Sequence, residues 1–470
     1  MNSHIRDQFI VFFLLFYLAF DAIGQYASHS KPNIFIYIAD DQNSWDYVTF
    51  GNTQVKTANF DRLVNEGLSF SNAYTSQAIC APSRSQLFTG LFPMKNGCFA
   101  NHLPVRNVKD INDYMTELGY DVVLAGKGHI QPNSVFNWTR YFSTNSDRLI
   151  PINKVEDYIT STVKPVCIIF SSDLPHGPYP KSSDYNSKPL DYDPSSKTIV
   201  SKIGNHKAGY YQNIEEDNDQ LGRVLNMLET VSYLDESVFI YISDHGLKGK
   251  WSVRETGLKI PMVFRWPNVI PPNTTNHKLV SIVDILPTII EISGGEKIEN
   301  LDGKSLVPIL SNTNISFRDY IFGIATRQNI QKCYVFPSRS VRDKRYKYVV
   351  NFNSKELVKD NLGPNKHINY FIDRGANEFA NVPFEELYDL EVDPYEHVNL
   401  AKDESLLAIK QKLSAVLRDW MINQNDILIQ HKMPLIKPTL HPLDRSSKWN
   451  NPKKESEFTL SSTDYIPSHY

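Results

Sequence analysis

Short continuous apolar runs alternate with amphipathic stretches through the first half of the chain. From Pro32 to Ala39 nearly every position is apolar, and the run ends at Asp40-Asp41. That is the pattern of a strand covered on both faces. Asp121–Ala125, Val166–Phe170, Ser237–Ile242 and Pro261–Arg265 repeat it, and Leu68–Tyr74 also reads as extended. Helical spacing predicts a short helix over Asn59–Glu66, with Phe60, Leu63 and Val64 on one face. It predicts a second over Ile111–Leu118, stopped by Gly119, and a long amphipathic one over Tyr210–Glu229. Val283–Ile292 reads as a further helix with Pro287 near its start. Strands alternating with helices predict an α/β fold, a large mostly parallel sheet sandwiched by helices. Chemistry in such sheets gathers at the carboxyl ends of the strands. Asp40-Asp41 and Asp244-His245 both stand at such ends, so the topology is expected to bring them together.

The character changes after about residue 315. Arg345–Val350 alternates like a half-exposed strand, and Glu386–Leu390 is a second, followed by a polar stretch through Asn399. Leu406, Ile409, Leu413, Val416 and Leu417 mark a helix over Leu406–Trp420. The expected division is a leader (1–24), a main domain (25–315), a smaller C-terminal α+β domain (316–431) and a tail (432–470) rich in Pro, Ser and Lys. The leader follows from His4 and Arg6 before the apolar run Phe9–Phe20, with Ala22-Ile23-Gly24 as a small-residue cleavage site. The run falls short of the ~20 residues a membrane span needs. A periplasmic or secreted protein without a stable membrane anchor is expected.

Composition narrows this further. Hydrophobic residues at 41% and charged residues at 21% exclude a disordered chain, a collagen-like fibre and a disulfide scaffold. A net charge of −3 supplies no global basic field, and nucleic acid is not an expected partner. The rings of 25 Tyr and 25 Phe mostly fill cores, with a minority free to stack on sugars. The four cysteines, Cys80, Cys98, Cys167 and Cys333, are too few to carry the fold. Cys167, inside an apolar run, reads as a buried small hydrophobe. Asn137-Trp138-Thr139, Asn273-Thr274-Thr275 and Asn314-Ile315-Ser316 are glycosylation sequons. His102, His206, His277 and His397 read as structural or surface residues.

Acidic residues at two strand ends suggest a hard cation held by oxygen ligands, from Asp40, Asp41 and Asp244, with His245 beside them. Alone, the Asp40-Asp41 pair reads equally well as a solvated loop or helix cap. The deciding segment is Cys80-Ala81-Pro82-Ser83-Arg84, continuing to Thr89-Gly90. It resembles the signature of the sulfatase family, within the alkaline phosphatase superfamily. The resemblance implies that a maturation enzyme oxidises Cys80 to Cα-formylglycine. The hydrated aldehyde would be the nucleophile, its second hydroxyl allowing the aldehyde to be regenerated. Gly126-Lys127-Gly128-His129, Pro175-His176, Asp244-His245-Gly246 and Gly249-Lys250-Trp251-Ser252 match family segments in order. The family's usual Tyr-Glu after the last of these is Arg254-Glu255 here. Glu386–Leu390, Asp393-Pro394 and Asn399-Leu400-Ala401 resemble the close of the family's C-terminal domain, so the resemblance covers roughly residues 31 to 425.

By that resemblance, Asp40, Asp41, Cys80, Asp244 and His245 hold one divalent cation, usually Ca²⁺, with Mg²⁺ as the alternative. Arg84 steadies the modified residue and nearby carboxylates, Lys127 binds sulfate oxygens or that residue, and His129 hydrogen-bonds it. His176 and Lys250 serve the leaving group. Within the family, Lys127–Ile130 with Pro132, Val135 and Phe136, and Pro337–Asp343 leading to Tyr348–Asn351, resemble the heparan N-sulfatase (sulfamidase) branch. That branch includes bacterial sulfatases of algal polysaccharides. The expected function is an exported sulfatase acting on a sulfated polysaccharide such as ulvan. The alternatives are a sulfamidase acting on heparan-type sugars and a non-catalytic glycan-binding protein.

Overall fold

The computed structural model describes residues 31–101, 103–180, 185, 207–311, 314–329, 334–352, 382–430, 432–434 and 465–467. The expected leader, His102, His206, Cys333 and most of the tail lie outside them. The main sheet has nine strands: β1 (Asn33–Asp40), β2 (Leu68–Tyr74), β3 (Asp121–Gly126), β4 (Arg140–Ser143), β5 (Val166–Pro175), β6 (Ser237–Ser243), β7 (Lys259–Ile260), β8 (Met262–Arg265) and β9 (Thr274–Ser281). Their order is β4-β3-β5-β1-β6-β8-β2-β7, with β9 alongside β2. The block from β4 to β6 is parallel. The strand expected over Pro261–Arg265 is present as β8 but runs antiparallel to both β6 and β2. An antiparallel neighbour needs no crossover helix, which frees the chain between β6 and β8 to form a functional loop. Two reversals restore the direction, so β2 points the same way as β1. The carboxyl ends of β1, β2, β3, β5 and β6 therefore share one edge.

The central strands are buried on both faces. Ile34, Ile36 and Ile38 of β1 pack under α2 (Cys80–Thr89), α3 (Ile111–Glu117) and α6 (Ile285–Ile292), with Phe88, Met115 and Ile289. Phe35 and Tyr37 face α1 (Ala58–Glu66), α4 (Ile152–Ser161) and α5 (Lys207–Thr230), with Phe60, Val155 and Leu221. Burying each such side chain contributes about 1.5–3 kcal/mol, which is why the runs carry no alternation. The helix expected over Val283–Ile292 begins as a 3₁₀ turn, Ile282–Asp284, boxed by Ser281 and Asp284. Pro287 then falls in the first turn of α6, where a missing N–H costs nothing.

Four antiparallel strands, β10 (Ile321–Asn329), β11 (Tyr334–Arg342), β12 (Tyr346–Asn351) and β13 (Glu385–Asp389), form the smaller C-terminal sheet. Leu413, Leu417, Trp420 and Met421 of α7 (Leu407–Asn423) pack on Val341, Tyr348, Val350 and Leu387 of that sheet. This is the expected α+β arrangement. Buried charges join it to the main domain: Lys347 Nζ lies 3.0 Å from both Glu255 Oε1 and Glu396 Oε1, and Arg342 Nη1 lies 2.8 Å from Glu255 Oε2. Arg254 Nη2 reaches Glu386 Oε2 at 2.5 Å. The Arg254-Glu255 departure is thus a structural junction.

Candidate active site

Cys80 is the first residue of α2 and is 1% exposed. Ile79 before it is extended, so the chain turns into the helix at the nucleophile position. The rest of the signature explains itself locally. Gly90 ends the helix at φ 63°, a left-handed conformation that glycine adopts without strain. Thr89 Oγ1 donates to the Ser85 carbonyl (2.7 Å) and accepts from Asn96 Nδ2 (3.3 Å). Ser83 Oγ donates to the Asp244 carbonyl, 2.5 Å away, tying the helix to the end of β6. A helix start also places the positive end of the backbone dipole beside Cys80, where an anion is favoured.

Around the Cys80 Sγ stand Asp40 Oδ1 at 3.6 Å, His245 Nε2 at 3.4 Å and Lys250 Nζ at 3.5 Å. Lys250 Nζ also meets both oxygens of Asp41, at 2.8 and 2.9 Å. His176 Nε2 lies 3.7 Å from Asp41 Oδ2. Lys127 pairs with Asp40 and, at 3.1 Å, with Asp173. Arg84 is fully buried, its Nε 3.1 Å from Asp244 Oδ2 and its Nη2 3.3 Å from Asp40 Oδ2. His129 stands in the turn after β3 at φ 47° and lines, with Ala81, a cavity beside α2. The fold thus gathers every expected site residue at one sheet edge. Asp41, and Trp251 next to Lys250, also have positive φ (67° and 72°). Such backbone costs on the order of 1–3 kcal/mol per residue and concentrates where function demands it.

The donor set can be tested against a divalent cation. Ligand atoms of Asp40, Asp41, Cys80 and His245 lie within 4.8 Å of one another, and all four residues are buried. The carboxylates are hard oxygen donors suited to a divalent ion. Asp244 stands at the margin. Its Oδ1 accepts the backbone N–H of Asp41 (3.0 Å) and of His245 (2.8 Å) and lies 3.9 Å from His245 Nε2. The residues fit a divalent cation held chiefly by Asp40, Asp41 and His245.

Burial opposes every charge here, and the neighbours outweigh it. Burial pulls the Asp40 carboxyl upward, but Lys127 and Arg84 hold it well below the usual carboxylate range. Asp41 is lowered, against burial, by Lys250 and His245. Lys127 and Lys250 are raised, against burial, by Asp40 and Asp41 respectively. With no cation beside it, His245 rises to about 9 despite burial, through Asp244 and Asp41, and it would release that proton on ligating a metal. His129 goes the other way, to about 4, through burial and the nearby Lys127 and Arg84.

The sequence left several supporting residues unmarked. Strand β5 runs past Phe170 to Pro175, carrying Ser171 and Asp173 to the site. The Ser171 hydroxyl takes a hydrogen bond from Arg84 Nη1 and donates to the Lys127 carbonyl (2.6 Å). The Ser171 carbonyl accepts the Lys127 N–H (2.7 Å), so it passes close under β3. A Cβ at Gly126, φ 113°, would meet that carbonyl at 2.0 Å, so only glycine fits before Lys127. Arg148 grips the His176 turn, with Nε 2.7 Å from Asp173 Oδ2 and Nη2 2.8 Å from the His176 carbonyl. Tyr210 props Asp41 from below, its hydroxyl 3.1 Å from the Asp41 carbonyl. The polar run Ser171-Ser172-Asp173 closing an apolar strand was the available signal; Arg148 and Tyr210 had none.

Fold and geometry together define a hydrolase for anionic esters of the alkaline phosphatase-like type. The sulfatase family model matches residues 32–295, and the model for the N-sulphoglucosamine sulphohydrolase C-terminal region matches residues 243–382. The chain is 44% identical over 457 residues to an ulvan-active sulfatase of Formosa agariphila, covering 94% of this chain and 91% of that protein. It is 22% identical to human N-sulphoglucosamine sulphohydrolase, over 84% of this chain and 91% of that protein. Among solved structures, BT4656 in complex with its substrate D-glucosamine-2-N,6-O-disulfate superposes with a TM-score of 0.67 at 18% identity, covering 84% of this chain and 99% of that one. That likeness concerns the fold alone. The chain belongs to the sulfatase family, and its reaction class is sulfuric ester hydrolysis.

Proposed function

We propose that this is an exported sulfatase that removes sulfate from a sulfated polysaccharide such as ulvan, or from its oligosaccharides. It would use a formylglycine made from Cys80 and a bound Ca²⁺. The observation that carries the chemistry is the buried convergence of Cys80, Asp40, Asp41 and His245 beneath Lys127, Lys250 and His176. The support for the substrate is the 44% identity, across nearly the whole chain, to a relative named as ulvan-active. Oxidation of Cys80 supplies an aldehyde whose hydrate presents a hydroxyl nucleophile. Asp40, Asp41 and His245, with Asp244 beside them, would hold the cation, which would supply charge neutralisation on the sulfate oxygens.

The chain's own residues do the remainder. Asp40, Asp41, Asp173 and Asp244 face Arg84, Lys127, Arg148 and Lys250, so these carboxylates and cations balance, and a divalent ion would leave a positive surplus for an anionic ester. Lys127 and Lys250 bind the sulfate oxygens and hold charge that develops in the transition state. Arg84 fixes the Asp40 and Asp244 carboxylates through charge-assisted hydrogen bonds. His176, a third exposed while its neighbours are buried, delivers a proton to the leaving oxygen. His129, as the family resemblance implies, would hydrogen-bond the modified Cys80.

The C-terminal family match favours one competing reading, cleavage of an N-sulfated sugar. Free sulfate is to be measured from ulvan oligosaccharides and from N-sulfated heparan disaccharides, using matured protein whose Cys80 state is checked by peptide mass. Release from the ulvan oligosaccharides and not from the disaccharides is expected; the reverse would make the protein a sulfamidase. Cys80→Ala is expected to lower release by at least ~10⁴-fold, as loss of a nucleophile does. Retained turnover in that variant would remove Cys80 from the mechanism.

A further inference from the structure

A cavity of about 500 Å³ opens beside the Lys127–His129 turn. Ala81, the residue after the nucleophile, and His129 form its inner wall; Gln131, Asn133, Trp138 and Tyr141 are among its outer walls. It therefore abuts the start of α2 beside Cys80 and reaches the β3–β4 edge through Leu124 and Tyr141. Its size is that of a small-ligand pocket.

Two aromatic rings dominate the outer part. Tyr141 lies on the edge strand β4 and is 50% exposed, an unusual state for so large a ring. It is nonetheless tethered, since its hydroxyl accepts a hydrogen bond from the Gly128 backbone. Trp138 is fixed from behind, edge-on to Phe88 at 5.3 Å and stacked on Phe136 at 6.1 Å. Rings held in this way offer contact area at little entropic cost. The amides of Gln131 and Asn133, which both donate and accept, line the same cavity. Among the described residues no Lys, Arg, Asp or Glu lines the cavity. The charged site next door binds an anion; this cavity is built for a neutral body with an apolar face and a hydrogen-bonding rim. A pyranose ring, with its C–H face and peripheral hydroxyls, has that character.

We propose that this cavity is the subsite for an uncharged sugar residue adjoining the sulfated one, with Tyr141 and Trp138 covering its C–H faces and Gln131 and Asn133 binding its hydroxyls. The proposal rests on the polysaccharide reading above and specifies what that reading leaves open: which part of the glycan, besides its sulfate, is recognised.

The test compares kcat/KM on ulvan oligosaccharides with kcat/KM on 4-nitrocatechol sulfate, which presents a sulfate ester without a sugar. In Tyr141→Ala the oligosaccharide-to-aryl ratio is expected to fall at least ten-fold, chiefly through KM, and equally at low and high salt. Tyr141→Phe, which keeps the ring, is expected to stay within three-fold of the wild-type ratio. An unchanged ratio in Tyr141→Ala overturns the subsite. So does a fall that disappears at high salt, because it would show charge and not ring contact. Wild-type protein that turns over the aryl sulfate and no ulvan oligosaccharide would sink the polysaccharide reading instead. In that case the subsite is decided by titrating Cys80→Ala protein with the same ulvan oligosaccharides and with N-sulfated heparan disaccharides while following tryptophan fluorescence. A saturable change that is lost in the Trp138→Phe background sustains it, and no saturable change with either sugar overturns it.

Discussion

At the scale of single residues, the state of Cys80 decides what the site can hold. The four clustered donors, Asp40, Asp41, Cys80 and His245, mix hard carboxylates with a thiol and an imidazole. A thiolate–imidazole pair suits Zn²⁺, whereas oxygen donors suit Ca²⁺ and Mg²⁺. Oxidising Cys80 replaces sulfur by oxygen and hardens the set. Protein made without maturation is therefore expected to bind Zn²⁺ at least ten-fold more tightly than the Cys80→Ser variant, while the two bind Ca²⁺ within about three-fold of each other. Competition titration with a chromogenic chelator reads both constants. Equal Zn²⁺ affinities would place the thiol outside the coordination set.

At the scale of elements, legibility follows how each segment is buried. β1 and β6 were readable because each is a uniform apolar run ending in acid, and the parallel sheet brings those ends together. α2 was not predicted as a helix because all ten of its residues are buried. A helix without a polar face has no 3.6-residue stripe to detect. The direction of β8 was invisible because apolar runs do not encode polarity. Lys127, His129, His176 and Lys250 were legible only through the family resemblance; each taken alone reads as an ordinary loop residue. Arg148 carried no local signal, since its partners lie 25 to 30 positions away in sequence. Its role is nevertheless specific. By holding Asp173 and the carbonyls of the His176 turn, it sets where the imidazole points. Arg148→Ala is expected to lower kcat on a sugar sulfate by up to about 100-fold, the cost of a misplacement of about 1 Å. The loss on an aryl sulfate, whose leaving group needs little protonation, should be below about three-fold. A uniform loss on both substrates would mean that Arg148 supports the fold generally and not His176 in particular.

For the molecule as a whole, stability and chemistry rest on buried polar networks. Glu255, Lys347 and Glu396 at the junction of the two sheets are nearly inaccessible and mutually paired. The loop that carries Lys250 is continuous with that junction, so loss of the C-terminal sheet is expected to loosen the Lys250 ammonium beside Asp41. A second network lies under the site. Asp217 of α5 is fully buried and accepts the Tyr37 hydroxyl at 2.7 Å. Burial, the largest influence, raises its carboxyl to about 7. A raised carboxyl contributes stability that is complete below pH ~4 and is lost as pH climbs through ~7, because the unfolded chain ionises first. The contribution that disappears across that interval is roughly 4 kcal/mol at most. Asp217→Asn should remove this slope, so that its urea midpoint gains on wild type between pH 4 and 8. Parallel curves would show that Asp217 ionises as readily in the fold as out of it.

The cavity wall has one more property. Asn137 is exposed on that wall and heads the sequon whose middle residue is Trp138. Choice of production host thus becomes a determinant of apparent specificity. Material secreted from a eukaryotic cell and carrying an N-linked chain at Asn137 should hydrolyse small aryl sulfates while losing most turnover of polysaccharide, and Asn137→Gln should restore it. Bacterial material would not reveal the difference. A mass spectrum of the Asn137 peptide beside the two rates would show whether such a preparation measures the enzyme or the sugar its host has placed in the doorway.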